Sequence, residues 1–147
     1  MRKALFFVAL GIAADPASAQ LPFLSKRGAA QQPVVQGIVA LRADFAAQSG
    51  GTTIYFGAEN VGLAAPARTV LAAQAAWLRR HPEVMVRVEG YGDSGDTRDH
   101  ALAVGARRAE EARNYLVLLG VPASPLSATS WGKERPGLGR SVTVLVR

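Results

Sequence analysis

Between residues 102 and 119, Leu102, Gly105, Ala109, Ala112, Leu116 and Leu119 recur in alternating steps of three and four. That spacing predicts one long helix, capped by Gly120, whose inward face consists mostly of small residues. Such a helix can approach a sheet closely. The run "VMVRVEGY" from Val84 precedes it and reads as a half-buried strand.

Other stretches supply the rest of a sheet. A first helix is expected from Pro33 to about Gln48, with Val35, Ile38, Val39, Leu41 and Phe45 on a loose apolar face, ended by "SGGT" from Ser49. "TTIYF", Thr52 to Phe56, is β-branched and aromatic and reads as a strand. A second helix starts near Pro66, places Val70, Ala73 and Trp77 on one face beside Leu71 and Leu78, and stops at His81-Pro82. "LSATSWG" and "SVTVLV" are the last strands, around the loop "KERPGLGR". After the first helix the order is β-α-β-α-β-β. It predicts an α/β sandwich with two helices on one face of a small mixed sheet.

The chain opens with "MRKALFFVALGIAADPASAQ", a positive start, a short apolar run and an A-x-A site. This pattern predicts a secretory signal over residues 1–19, cut after Ala19. Spanning a bilayer takes about 20 apolar residues, and Asp15-Pro16 ends the run early. The expected organisation is a signal peptide at 1–19, a flexible lead-in and N-terminal helix at 20–51, and a folded domain at 52–147. Loss of Arg2, Lys3 and Asp15 takes the formal charge from +6 to +5.

There is no cysteine. That excludes thiolate metal sites, a cysteine nucleophile and a lipid-modified cysteine. The expected location is therefore the periplasm, near the cell wall or outer membrane, without a lipid anchor or a membrane span after cleavage. Basic character fits acidic surroundings such as wall or membrane surfaces. Nucleic acid is not expected, because Arg and Lys are scattered or interleaved with Glu and aromatics are few.

Residues 86–99, "VRVEGYGDSGDTRD", contain two familiar spacings. Gly90, Gly92 and Gly95 form G-x-G-x-x-G, but Asp93 and Asp96 would face a bound pyrophosphate, and the helix pattern starts only near Arg98. "GDSG" around Ser94 resembles a protease nucleophile loop, yet only His81 and His100 are available as bases and neither is suitably placed. No paired-carboxylate site or metal triad appears elsewhere. An enzyme, a cofactor and a metal are not expected.

Val88-Glu89-Gly90, Asp93, Gly105, Arg107-Arg108-Ala109, Tyr115-Leu116, Gly120-Val121 and Gly132 through Pro136 form a specific combination. Residues 81–136 carrying them resemble the OmpA-like peptidoglycan-binding domain, most closely the type found in peptidoglycan-associated lipoproteins. "TIYFGAEN" and "GRSVTVLV" resemble the family's opening and closing strands, so the resemblance covers roughly 52–147. It implies non-catalytic binding of the peptidoglycan stem peptide through diaminopimelate, with tethering or sensing of the wall.

By the same resemblance, Asp93 holds the ligand's ammonium, Arg108 its carboxylate, and Arg140 lines the site. Glu59 stands where the family has Asp or Asn. The chain departs from the family at Gly57, Tyr91-Gly92, Ala101 and Ser141, each of which removes a polar group from in or near the pocket. The alternative is an envelope protein-interaction or structural module of the same fold whose pocket has lapsed.

The chemistry and the reach agree with the implied site. An amino-acid end presents an ammonium and a carboxylate close together, which a carboxylate and a guanidinium can read by charge-assisted bonds. A helix from Arg98 to Arg108 rises about 15 Å, and the loop from Asp93 to Arg98 reaches up to about 17 Å. The bare residue pattern of Arg107, Arg108, Glu110, Glu111 and Arg113 equally fits a ladder of surface ion pairs.

Overall fold

The computed structural model describes residues 32–135 and 137–147. The expected signal at 1–19, the lead-in up to residue 31 and Pro136 lie outside the described residues. The elements are α1 (Gln32–Gln48), β1 (Thr53–Tyr55), α2 (Ala65–Arg80), β2 (Val86–Tyr91), α3 (Arg98–Leu118), β3 (Leu126–Gly132) and β4 (Ser141–Val146). The strands form one mixed sheet in the order β1-β4-β2-β3. β4 runs antiparallel to both neighbours, and β2 runs parallel to β3. After α1 the order is the expected β-α-β-α-β-β, an α/β sandwich.

Two strands are shorter than their sequence patterns. β2 starts at Val86 rather than Val84 because the Val84 N–H turns back to the His81 carbonyl at 3.1 Å. β1 covers three residues, and at Phe56 the chain leaves the regular ladder, its N–H donating to the Arg140 carbonyl at 2.7 Å.

The ends of α3 are set by local chemistry. Thr97 caps its start by accepting from the His100 N–H at 3.3 Å, and Asp99 in the first turn suits the positive end of the helix. At the other end Gly120 takes φ 93°, its N–H bonds to the Val117 carbonyl at 2.9 Å, and the Val121 N–H reaches the Leu116 carbonyl at 3.1 Å. These two bonds make a Schellman motif, which satisfies carbonyls the helix leaves open.

α3 lies almost backbone to backbone on β2. A Cβ placed on Gly90 would stand 1.9 Å from the Gly105 carbonyl oxygen, and one on Gly92 would stand 2.4 Å from that of Ala101. No side chain fits at either position. Gly95, by contrast, meets nothing nearer than Asp93 Oδ1 at 3.9 Å. Packing of this helix on this strand therefore explains the first two glycines of the dinucleotide-like spacing.

Val86 and Val88 of β2, Val142, Val144 and Val146 of β4, and Ile54 of β1 bury one face of the sheet against Leu71 and Leu78 of α2 and Leu116 of α3. α1 joins this core through Trp77. The indole packs edge-on to Phe45 at 5.1 Å, stacks with His81 at 3.9 Å, and donates from Nε1 to Asp44 Oδ2 at 2.7 Å. That bond and a second from Gln48 hold the Asp44 carboxyl below the usual carboxylate range.

Gly90→Ala is expected to lower stability in urea denaturation by about 3 kcal/mol, since overpacking a closed contact costs roughly 1–3 kcal/mol or more. Gly95→Ala, in open space, should stay within about 0.5 kcal/mol of the parent.

Candidate functional site

β2 ends at Tyr91 and β4 begins at Ser141, and the two loops at this end of the sheet face each other. The Arg140 N–H donates to the Gly92 carbonyl at 3.0 Å, which ties the loops together. Between them is a cavity of about 290 Å³, with Gly92, Asp93, Ser94, Lys133, Arg135 and Arg140 among its walls. Three cations and one carboxylate line it.

Asp93 and Arg140, both expected site residues, come together on this wall. Arg140 Nε donates to Asp93 Oδ2 at 2.6 Å, and the Gly95 N–H reaches Asp93 Oδ1 at 3.3 Å. The Arg140 bond, then the Gly95 amide, holds the Asp93 carboxyl below its ordinary value. Its carboxylate form therefore dominates at neutral pH. Arg140 adopts φ 60°, a left-handed backbone conformation that costs a side chain roughly 1–2 kcal/mol. Bonds on either side hold it there: its N–H to Gly92, its carbonyl from Phe56, its Nε to Asp93.

Arg108 is not among the residues lining the cavity. The residue is 0% exposed. Its Nε donates to the Asn60 carbonyl at 2.8 Å, Nη1 to that of Tyr91 at 3.0 Å, and Nη2 to that of Gly57 at 3.1 Å. The Phe56 ring lies 5.3 Å from the guanidinium carbon. Burial lowers its pKa from the usual arginine value, while the charges of Asp93 and Glu59 oppose that shift. A guanidinium has five N–H donors, so two remain beyond those three bonds.

This burial rules out the surface ion-pair ladder for Arg108. Among the described residues no ion pair joins Arg107, Glu110, Glu111 or Arg113 either, and Arg113 Nε instead donates to the Leu126 carbonyl at 3.2 Å.

Glu59 is not among the residues lining the cavity. It too adopts a left-handed backbone, φ 53°, and its Oε2 lies 3.1 Å from His100 Nε2. Glu59, Asp96 and His100 gather their donor atoms within 4.8 Å of one another. This set was missed in the sequence because Glu59 is separated from the other two by α2 and β2.

The family departures have structural replacements. Tyr91 is buried and its hydroxyl donates to Glu89 Oε2 at 2.8 Å. Burial, then Glu89, pushes the phenol pKa up to about 12. Glu89, itself buried, is paired with Arg135 Nη1 at 3.2 Å and lies 2.6 Å from Arg87 Nη2 in an ion pair without hydrogen-bond alignment. Arg135 also lies 4.3 Å over the Trp131 ring. Gly57 contributes its carbonyl to Arg108, Ala101 presses on Gly92, and Ser141 Oγ donates to the Leu138 carbonyl at 2.6 Å. Lys133 and Arg135 were not assigned a role from sequence, although the charged run "KER" after Gly132 marks them.

A family model described as the OmpA family matches residues 55–142. The peptidoglycan-associated lipoprotein of Mesorhizobium japonicum is 45% identical over 86 residues, covering 58% of this chain and 51% of that protein. That of Agrobacterium fabrum is 43% identical over 86 residues, covering 58% and 49%. The chain thus spans about half the length of these relatives. The crystal structure of the peptidoglycan-associated lipoprotein from Burkholderia pseudomallei superposes with a TM-score of 0.64 at 27% identity, over 67% of this chain and 92% of that one. A MotB-like protein from Desulfovibrio vulgaris shares the fold, with a TM-score of 0.66 at 19% identity over 80% and 95%.

These names correct the location expected from sequence, a periplasmic domain without a lipid anchor. The matched relatives are lipoproteins. The physical reason is that attachment is a property of chain outside the folded segment, whereas the likeness covers the folded segment alone. Among the described residues no helix is long and apolar enough to cross a membrane.

Replacing Arg108 by Lys should cost about 3 kcal/mol in urea denaturation, because one ammonium cannot reproduce three diverging N–H bonds to buried carbonyls. The Asp93–Arg140 pair sets a pH dependence. Asp93 is depressed in the folded state, so its contribution is present above the unfolded value near 3.9 and lost as pH falls through the folded value. Asp93→Asn should therefore have a lower urea midpoint than the parent at pH 7, and the two midpoints should converge as pH falls through the folded value of Asp93.

Proposed function

The chain belongs to the OmpA family, and on that premise we propose that it binds cell-wall peptidoglycan without catalysis, through the diaminopimelate of the stem peptide. The observation that carries this reading is the Asp93–Arg140 ion pair on the cavity wall. An amino-acid end has the opposite charges in the same arrangement. Its ammonium replaces Arg140 at Asp93, and its carboxylate replaces Asp93 at Arg140. One internal pair is exchanged for two charge-assisted contacts, each worth roughly 1.5–3 kcal/mol.

Arg108 in this reading holds the Gly57–Asn60 turn and the end of β2 in place. Glu59 adds negative charge that acts on Arg108. Lys133 and Arg135 leave the cavity with a surplus of positive charge, which suits a peptide rich in carboxylates. The names of the matched lipoproteins support the same ligand class. The role that follows is a tether or sensor of the wall.

Pull-down on diaminopimelate-type peptidoglycan tests the reading. The chain should sediment with the wall, and Asp93→Ala and Arg140→Ala, folded by circular dichroism, should bind roughly 10- to 100-fold more weakly. Lysine-type wall should not retain the chain, because lysine lacks the second carboxylate.

A further inference from the structure

Glu59, Asp96 and His100 meet at the edge of the domain, where the loop after β1 passes the first turn of α3. Asp96 stands just before the Thr97 cap, and His100 is in the first turn of α3. His100 Nε2 lies 3.1 Å from Glu59 Oε2 and 3.7 Å from Asp96 Oδ2. Donors on a tetrahedral ion with bonds of about 2.0–2.2 Å stand about 3.3–3.5 Å apart. Those two separations bracket that range, and all three donor atoms lie within 4.8 Å of one another.

A second observation comes from Asp96 itself. Its Oδ2 is buried and accepts no hydrogen bond. The lysine and arginine groups close by do not donate to it. Lys133 Nζ donates to the main-chain carbonyl of Asp96, at 2.6 Å, and not to its carboxylate. The guanidinium of Arg108 is taken up by three other carbonyls.

We propose that Glu59, Asp96 and His100 form a binding site for a divalent transition-metal ion of the Zn²⁺ type. Neutral imidazole and two carboxylate oxygens suit that class, whereas Mg²⁺ and Ca²⁺ prefer oxygen alone. The ion exchanges the His100–Glu59 hydrogen bond for two coordinate bonds and satisfies Asp96 Oδ2. It ties the loop after β1 to the start of α3. Glu59, drawn to the ion, is then a metal ligand first and a neighbour of the wall-binding cavity second. The site does not depend on the peptidoglycan reading.

Titration of the tag-free full chain with ZnCl₂, followed by calorimetry and by the imidazole nitrogen signals, tests it. One ion per chain should bind, and the signal of His100 should shift while that of His81 does not. His100→Ala and Asp96→Asn should each weaken binding by at least about tenfold, and His81→Gln should bind as the parent does. Absence of saturable binding in the parent, or equal binding by the His100→Ala and Asp96→Asn variants, would overturn the proposal.

Discussion

The near-contact of Gly90 with Gly105 is the constraint on which the rest of the molecule depends. With no side chain between them, α3 sits lower on β2 than an ordinary helix sits on a sheet, and Ala101 closes on Gly92 one turn earlier. This closeness carries Arg108, one turn further along α3, to the point where its guanidinium can reach the Tyr91 carbonyl at the end of β2. The same side chain then captures the carbonyls of Gly57 and Asn60. A packing contact made of glycine thus positions a buried charge at the end of β2.

Around that charge the backbone is held in conformations it would not choose. Among the described residues, Glu59 and Arg140 are the non-glycine positions with positive φ, and the charges of both act on Arg108. Unfavourable backbone persists where surrounding bonds over-determine it, and such positions cluster at sites that bind. At Arg140 the over-determination is visible as main-chain bonds to Gly92 and Phe56 and the side-chain bond to Asp93. The two loops are thereby set before any ligand arrives, which reduces the ordering cost of binding.

Hydrophobic periodicity made the helices and strands readable. The small-residue face of α3, the β-branched run of β4, and Gly120 as a helix stop are local signals, and each formed where its pattern placed it. The charged residues were less readable. Arg108 sits in a run, Arg107 to Arg113, whose letters equally suit a solvated face, and only the depth of the helix on β2 distinguishes it from its neighbours. Glu89 and Tyr91 occupy alternate positions on the strand face opposite Val88 and Gly90, so their burial depends on Arg87 and Arg135 covering them. The meeting of Glu59 with Asp96 and His100 has no local signal at all.

The sequence by itself determined the order of elements, the faces they bury and the need for a close strand–helix contact, because periodicity and the absence of Cβ act over a few residues. It also carried the motifs by which the family could be named. Only the tertiary structure decided which charges are paired, which are buried and which remain available to a ligand. Those properties depend on distances between segments far apart in the chain and on the solvent that packing removes. Arg108 shows the difference: its place on the helix was legible, but its buried role exists only once Gly57, Asn60 and Tyr91 are folded around it.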